Sequence, residues 1–154
     1  MITYNVINVA MPDIAEAEVS DWVRQVAKSY GKVVGDVNYI FVDDDTMLDI
    51  NRRFIGHDYF TDHIGFDYSS GDSLSGDIYI SIDTIKSNAE LYGATFYDEL
   101  RRIIIHGLLH LCGLRDKTDE ERQQMQQAED KALAHYSHNS INPINPINQW
   151  KIST

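Results

Sequence analysis

The chain has 154 residues, with 24 Asp and Glu against 13 Lys and Arg, so its formal net charge is −11 at pH 7. This length predicts one domain with a single core. The acidic excess argues against tight binding of free nucleic acid, because affinity for a phosphate backbone comes mainly from Lys and Arg. The single cysteine excludes an internal disulfide and suits a reducing compartment.

The ends and apolar runs of the sequence give no sign of export or membrane insertion. The first residues lack the basic start and apolar core of a signal peptide. Apolar runs stay well short of the roughly 18 residues that a membrane-spanning helix needs. We therefore expect a cytoplasmic protein without a membrane partner.

Hydrophobic periodicity predicts four strands and about five helices in the order βαβαββααα. This order indicates an α+β fold, a single domain in which a mixed four-stranded sheet packs against helices. Residues 56–60 and 69–75 are expected to be loops. The predicted strands are 2–9, 34–42, 63–68 and 77–81, and the predicted helices are 14–30, 44–54, 82–92, 96–112 and 118–135.

Several residues mark where these helices begin and end. Asp43 is expected to cap the second helix, and Thr118 with Glu121 has the spacing of a capping box for the last one. Gly93 and Gly113 are expected to end the two helices before it. Beyond residue 136 the composition becomes polar, with two Asn-Pro-Ile copies, so we expect a domain over 1–136 and a flexible extension over 137–154.

The segment from His106 to Asp116 carries the strongest chemical signal. His106 and His110 are four residues apart and share one face of the predicted helix. Gly113 would end the helix and let Asp116 fold back towards the two imidazoles. Two imidazoles and a carboxylate are a common ligand set for catalytic zinc. His63 and His57 are alternatives for the third ligand, and two core histidines without metal are the structural alternative.

Gly107 changes the chemistry that this segment resembles. The spacing is that of the long zincin motif, His-Glu-x-x-His-x-x-Gly-x-x-His, with Gly107 in place of Glu and Asp116 in place of the last His. In metallopeptidases that Glu is the general base that acts on the metal-bound water. A metallopeptidase is therefore the weakest of the functional hypotheses.

The sequence resembles the YbeY family, bacterial metal-dependent endoribonucleases of ribosomal RNA maturation. The most specific match is His-Gly-Leu-Leu-His-Leu-Cys-Gly over 106–113, supported by the Thr-Asp pair within 51–66 and by Gly-Asp-Ile over 76–78. The resemblance covers residues 1–136. It implies a metal-dependent nuclease, for which we expect one Zn²⁺ per chain with other divalent metals as alternatives. The implied partner is a ribosomal RNA precursor or a ribosomal subunit, with a ribosomal protein as a further candidate.

The sequence departs from the family pattern in three places. Asp116 stands where the family has a third His, and Ile55 stands where it has an Arg. Residues 63–66 read His-Ile-Gly-Phe where the family has Val-Leu-Ser-Phe. Arg52 and Arg53, just upstream, are candidates to replace that Arg as catalytic residues. An alternative of another class is an interaction protein whose metal stabilises the end of the helix and whose surface binds a ribosome-linked partner.

Several other residues are weaker candidates. Asp77 follows Gly76, which permits close backbone approach, and Asp77 is a candidate base, an acceptor for a histidine N–H or a turn cap. Cys112 lies two residues after His110, so we expect packing rather than ligation. The candidates for phosphate binding are Arg52, Arg53, Lys86, Arg101 and Arg102.

Overall fold

The computed structural model describes residues 1–57 and 61–141, with side chains as far as residue 136. Its sheet has four strands in the order β1-β2-β4-β3. β1 pairs with β2 and β2 with β4 in parallel, whereas β3 pairs with β4 antiparallel at the edge. The strands are β1 (Ile2–Ile7), β2 (Val33–Val42), β3 (His63–Asp67) and β4 (Ser73–Ser81).

Five α-helices accompany this sheet in the described residues, so the predicted α+β domain with a mixed four-stranded sheet is confirmed. The second helix continues into a short π-helical segment, Asn51–Ile55. The helices are α1 (Glu16–Ser29), α2 (Asp44–Ile50), α3 (Ile82–Tyr92), α4 (Phe96–Leu111) and α5 (Asp119–Ile141).

Strand β4 is longer than predicted. It begins at Ser73, so residues 73–75, predicted as loop, belong to the strand. The reason is a tight β3–β4 turn in which Ser70 and Ser73 exchange backbone hydrogen bonds of 3.0 Å. Polar residues in this segment favour a loop by composition, but pairing with β2 and β3 overrides that preference.

The two faces of the sheet are covered by different helices. Ile78 and Ile80 of β4 belong to the main core with Ile104 and Leu108 of α4, all fully buried. Side chains alternate between the faces of a strand, so Ile64, Phe66 and Tyr79 lie on the other face. There they pack with Met47 and Ile50 of α2 in a smaller cluster. Helix α4 and the edge strand β3 therefore meet on the main-core face.

The predicted helix caps are confirmed. The Asp43 side chain accepts from Thr46 N at 2.9 Å. Thr118 and Glu121 form the reciprocal capping box, with bonds of 3.0 and 3.1 Å. Gly93 and Gly113 have φ of 67° and 104°, which suits glycine at a helix end.

Helix α5 extends through Ile141, so it continues past its predicted end at residue 135 and into the predicted extension. The rest of the predicted extension, 142–154, lies outside the described residues. Within the described part of the chain, no helix combines the length and apolar character needed to cross a bilayer.

Candidate metal centre

His106 and His110 lie on the same side of α4 with their ring nitrogens directed at each other. Their Nε2 atoms are 3.0 Å apart. Two neutral nitrogens that both present lone pairs repel at this distance, so a proton or a metal cation between them is required for stability. The helical spacing in the sequence therefore produces two converging donors, as predicted.

Each of these imidazoles has its other nitrogen held by an oxygen acceptor. His106 Nδ1–H donates to Glu129 Oε2 of α5 at 2.6 Å. His110 Nδ1–H donates to the backbone oxygen of Leu114 at 3.0 Å. Such bonds fix the tautomer in which Nε2 carries the lone pair, as is usual for histidines that bind metals.

Asp116 reaches the two histidines from the turn after α4. With Gly113 in the left-handed region, the chain reverses and brings the carboxylate back towards the helix. Asp116 Oδ2 lies 3.2 Å from His110 Nε2 and 3.4 Å from His106 Nε2. The donor set of two imidazoles and one carboxylate is suitable for zinc, so the residues fit the metal that the sequence predicts.

A third imidazole comes from β3. His63, His106 and His110 each place one potential ligand atom within 4.8 Å of the others. The structure therefore brings together two of the three candidates for a third ligand, Asp116 and His63. His57 is exposed and is not part of this group as found in the described residues.

The two helix histidines have opposite pKa shifts. Burial lowers the pKa of His106, but the hydrogen bond and charge of Glu129 outweigh this, so its pKa is raised. Burial and the neighbouring His106 together lower the pKa of His110. One imidazole thus favours a positive charge while the other favours the neutral form, so the pair avoids two adjacent positive charges.

Glu129 contacts His106 but was not predicted from the sequence. Its side chain is only 10% exposed, and it also accepts from Arg102 Nη1 at 2.8 Å. Glu129 lies 23 residues beyond His106, and no local motif joins them. The sequence held one signal for this role. Glu129 falls at helical spacing between Met125 and Ala132, and all three are buried on α5. An acid within such a stripe indicates a buried partner.

Two clefts border the centre. The larger, about 560 Å³, is lined by Tyr92, Glu99, Arg102, His106 and Asp116, among others. Within this larger cleft, burial raises the pKa of the Glu99 carboxyl. The smaller, about 260 Å³, is lined by His63, Gly65, Ile78, Gly107 and His110, among others. The candidate metal ligands are therefore accessible from both sides of α4.

Gly107 allows the helix to lie close to the sheet. A Cβ built at this position would lie 3.0 Å from Cγ2 of Ile78, a contact that is tighter than most. At the position after the first histidine, the space that a side chain would need is therefore taken by Ile78 of β4. A general base at that position, as in the zincin motif, is absent from this helix.

Asp77 lies away from the histidines. It follows Gly76 and precedes Ile78, both buried on the α4 side, so its side chain points to the other face of the sheet. There it accepts from Asn38 Nδ2 at 2.8 Å. This position gives no support to the predicted role of Asp77 as a base or as an acceptor for a histidine.

The predicted phosphate ligands are dispersed. Arg102 lines the larger cleft and is bound by Glu129 and Asp130. Arg52 and Arg53 are exposed on the π-helical segment, where Arg53 pairs with Asp49 at 3.0 Å.

Two other cationic candidates and the cysteine have separate environments. Lys86 is exposed on α3, and Arg101 pairs with Asp98. Cys112 packs against the main core, and burial raises its pKa to about 11. This position against the core agrees with the predicted packing role.

Together, the fold and these residues define a class: an α+β domain with a histidine-rich candidate metal centre on a central helix. The family model for Endoribonuclease YbeY matches residues 6–137. The chain therefore belongs to the Endoribonuclease YbeY family, as the resemblance predicted, and the activity that names this family is RNA hydrolysis at internal phosphodiester bonds.

Similar proteins agree with this membership. The chain is 54% identical to Endoribonuclease YbeY of Bacteroides thetaiotaomicron over 133 residues, covering 86% of this chain and 97% of that protein. It is 52% identical to Endoribonuclease YbeY of Phocaeicola vulgatus, covering 87% and 97%. The solution structure of TM1509 from Thermotoga maritima shares the fold, with a TM-score of 0.62, 23% identity and coverage of 97% and 100%.

Proposed function

We propose that the protein is a metal-dependent endoribonuclease of ribosomal RNA processing that holds one Zn²⁺ with His106, His110 and Asp116. The observation that carries the proposal is the convergence of two imidazole nitrogens 3.0 Å apart with a carboxylate oxygen 3.2 and 3.4 Å away. When bound, the metal supplies Lewis-acid chemistry for phosphodiester cleavage.

The residues of this chain prepare the centre for that chemistry. Glu129 and the Leu114 carbonyl orient the two imidazoles, so that little reorganisation is needed when a cation binds. The larger cleft next to His106 offers room for a phosphate group. Arg52 and Arg53 remain the proposed RNA contacts outside the centre, and their exposure is compatible with that role.

The acidic charge of the chain affects how the protein can bind its RNA substrate. A net charge of −11 opposes contact with free RNA, so we expect weak binding that falls further with added salt. A ribosomal subunit or a ribosomal protein that presents the RNA would overcome this repulsion. With such partners, the compartment that we propose for the protein is the cytoplasm.

Cleavage of a ribosomal RNA precursor fragment is the direct test. We expect the zinc-loaded protein to cleave internally, the chelated protein to be inactive, and activity to return when metal is restored. His110→Ala should be inactive and His57→Ala active, because His57 lies outside the histidine group formed by the described residues. Full activity of the chelated protein would contradict the proposal.

A metal-stabilised, ribosome-associated interaction protein is the second candidate, and the charge of −11 is the observation that favours it. It predicts co-sedimentation with ribosomal subunits and metal-dependent folding, but no cleavage of RNA by the metal-loaded protein. Internal cleavage that is lost in His110→Ala excludes it as the whole function.

A further inference from the structure

The imidazole of His63 packs directly against the two helix histidines. The centroid of its ring lies 4.6 Å from that of His106 and 5.9 Å from that of His110. One potential ligand atom of each of the three residues lies within 4.8 Å of the others. These separations are compatible with a single cation bound by all three rings, since two ligands of tetrahedral zinc at about 2.0–2.1 Å are separated by roughly 3.4 Å.

The Nδ1 atom of His63 has an oxygen partner, as have those of the other two histidines. It lies 2.8 Å from Oδ1 of Asp62, a carboxylate that is 29% exposed. An Nδ1–H bonded to a carboxylate leaves Nε2 with the lone pair, which is the ligand tautomer. An imidazole with a purely packing role has no need for this arrangement, which repeats the bond between His106 and Glu129.

The fold itself brings His63 to the centre. His63 is the first residue of the edge strand β3 and pairs with Ile80 of β4. Its side chain is on the face shared with Gly65, which borders the smaller cleft with Gly107 and His110. The close packing of Gly107 on Ile78 lets α4 approach the sheet, and this approach brings the helix histidines within reach of β3.

We propose that His63 is a fourth protein ligand, so that the metal is bound by His63, His106, His110 and Asp116. The three imidazoles form the mutually close group, and Asp116 joins it through its contacts of 3.4 and 3.2 Å with His106 and His110. This inference rests on the metal site of the proposed function and adds a ligand from a separate element. Three of the ligands come from α4 and the turn after it, and His63 is contributed by the sheet. Metal binding would then join α4 to the edge strand.

A fourth protein ligand changes the character of the centre. Four protein ligands fill the tetrahedral sphere of zinc, whereas a catalytic zinc keeps one position for water. If all four residues held the metal, Lewis-acid chemistry on a phosphate would require one of them to release it. His63, on the edge strand outside α4 and its turn, would be that residue.

The test measures metal binding rather than cleavage. His63→Val removes the imidazole and introduces a residue that favours strands, and His57→Val is the matched control at an exposed position nearby. Zinc affinity is measured by competition with a chelator, and coordination by the visible absorption of the cobalt-substituted protein. We expect His63→Val to lose at least the roughly tenfold affinity that follows removal of a supporting residue, with a changed cobalt spectrum. The control should match the wild type.

The outcomes separate this inference from the proposed function. Unchanged zinc affinity and an unchanged cobalt spectrum in His63→Val overturn the inference, and the proposed site stands if Asp116→Ala still loses metal. A wild-type protein that binds neither metal overturns both. The circular dichroism of the metal-free variant checks that it folds. If His63→Val does not fold, His63→Gln, which keeps a polar side chain, is measured in the same way.

Discussion

Glu129 on α5 accepts a hydrogen bond of 2.6 Å from His106 on α4, and the same carboxylate accepts from Arg102 at 2.8 Å. The last helix is thereby connected to the candidate metal centre. This bond fixes the His106 tautomer, and it places a negative charge directly beside the imidazole. Both effects favour binding of a cation by the imidazole.

We expect Glu129→Gln to lower zinc affinity about 10- to 100-fold, because the amide is a weaker acceptor and carries no charge. Asp130→Asn is the matched control, since Asp130 pairs with Arg102 at 2.7 Å and its side chain is 57% exposed. Chelator competition on both variants provides the measurement. Equal zinc affinity in the two variants would show that Glu129 has only a structural role.

Gly76 of β4 lies so close to the backbone of β3 that an added side chain would clash with it. A Cβ there would lie 2.5 Å from the backbone oxygen of Phe66, which cannot move without displacing β3. We expect Gly76→Ala to lower the free energy of unfolding by about 1–3 kcal/mol, measured by urea denaturation. Gly65→Ala is the control, because nothing lies within 4 Å of its added Cβ. A variant Gly76→Ala as stable as Gly65→Ala would contradict this account.

Metal removal should destabilise the domain. A ligand that binds only the native state at a hundred times its Kd contributes about 2.7 kcal/mol. For a domain of this size the expected fall in Tm is then roughly 5–10 °C. Calorimetry before and after verified chelation gives the value. An unchanged melting curve would mean that no metal is held tightly by these residues.

Local patterns predicted the parts of the centre that lie close together in sequence. His106, His110 and Asp116 follow from helical spacing and from a glycine that reverses the chain. Glu129 and His63 reach the centre from α5 and β3, so their roles depend on tertiary packing that no short motif encodes. The sheet order was likewise not predicted, since pairing between strands distant in sequence is set by the whole core.

Asp77 is a second case in which tertiary packing, and not the local sequence, decides where a side chain points. Gly76 indeed permits close backbone approach, as predicted, but the approaching atom belongs to Phe66 of the neighbouring strand. The alternation of the strand then directs Asp77 to the face opposite α4. A one-residue difference in register would have reversed that outcome, and periodicity without a known partner does not fix which face is which.

Asp116 is the residue on which the proposed site most depends. Asp116→Ala should lower zinc affinity by about tenfold or more, because Oδ2 lies 3.2 and 3.4 Å from the two Nε2 atoms. Asp116→His should retain metal, since imidazole binds zinc at about the same distance as carboxylate. Asp119→Ala is the matched control, because that side chain is 99% exposed and pairs with Arg122. Zinc content is measured after dialysis at low free metal. Full occupancy in Asp116→Ala would exclude Asp116 as a required ligand and leave the three histidines as the protein ligands.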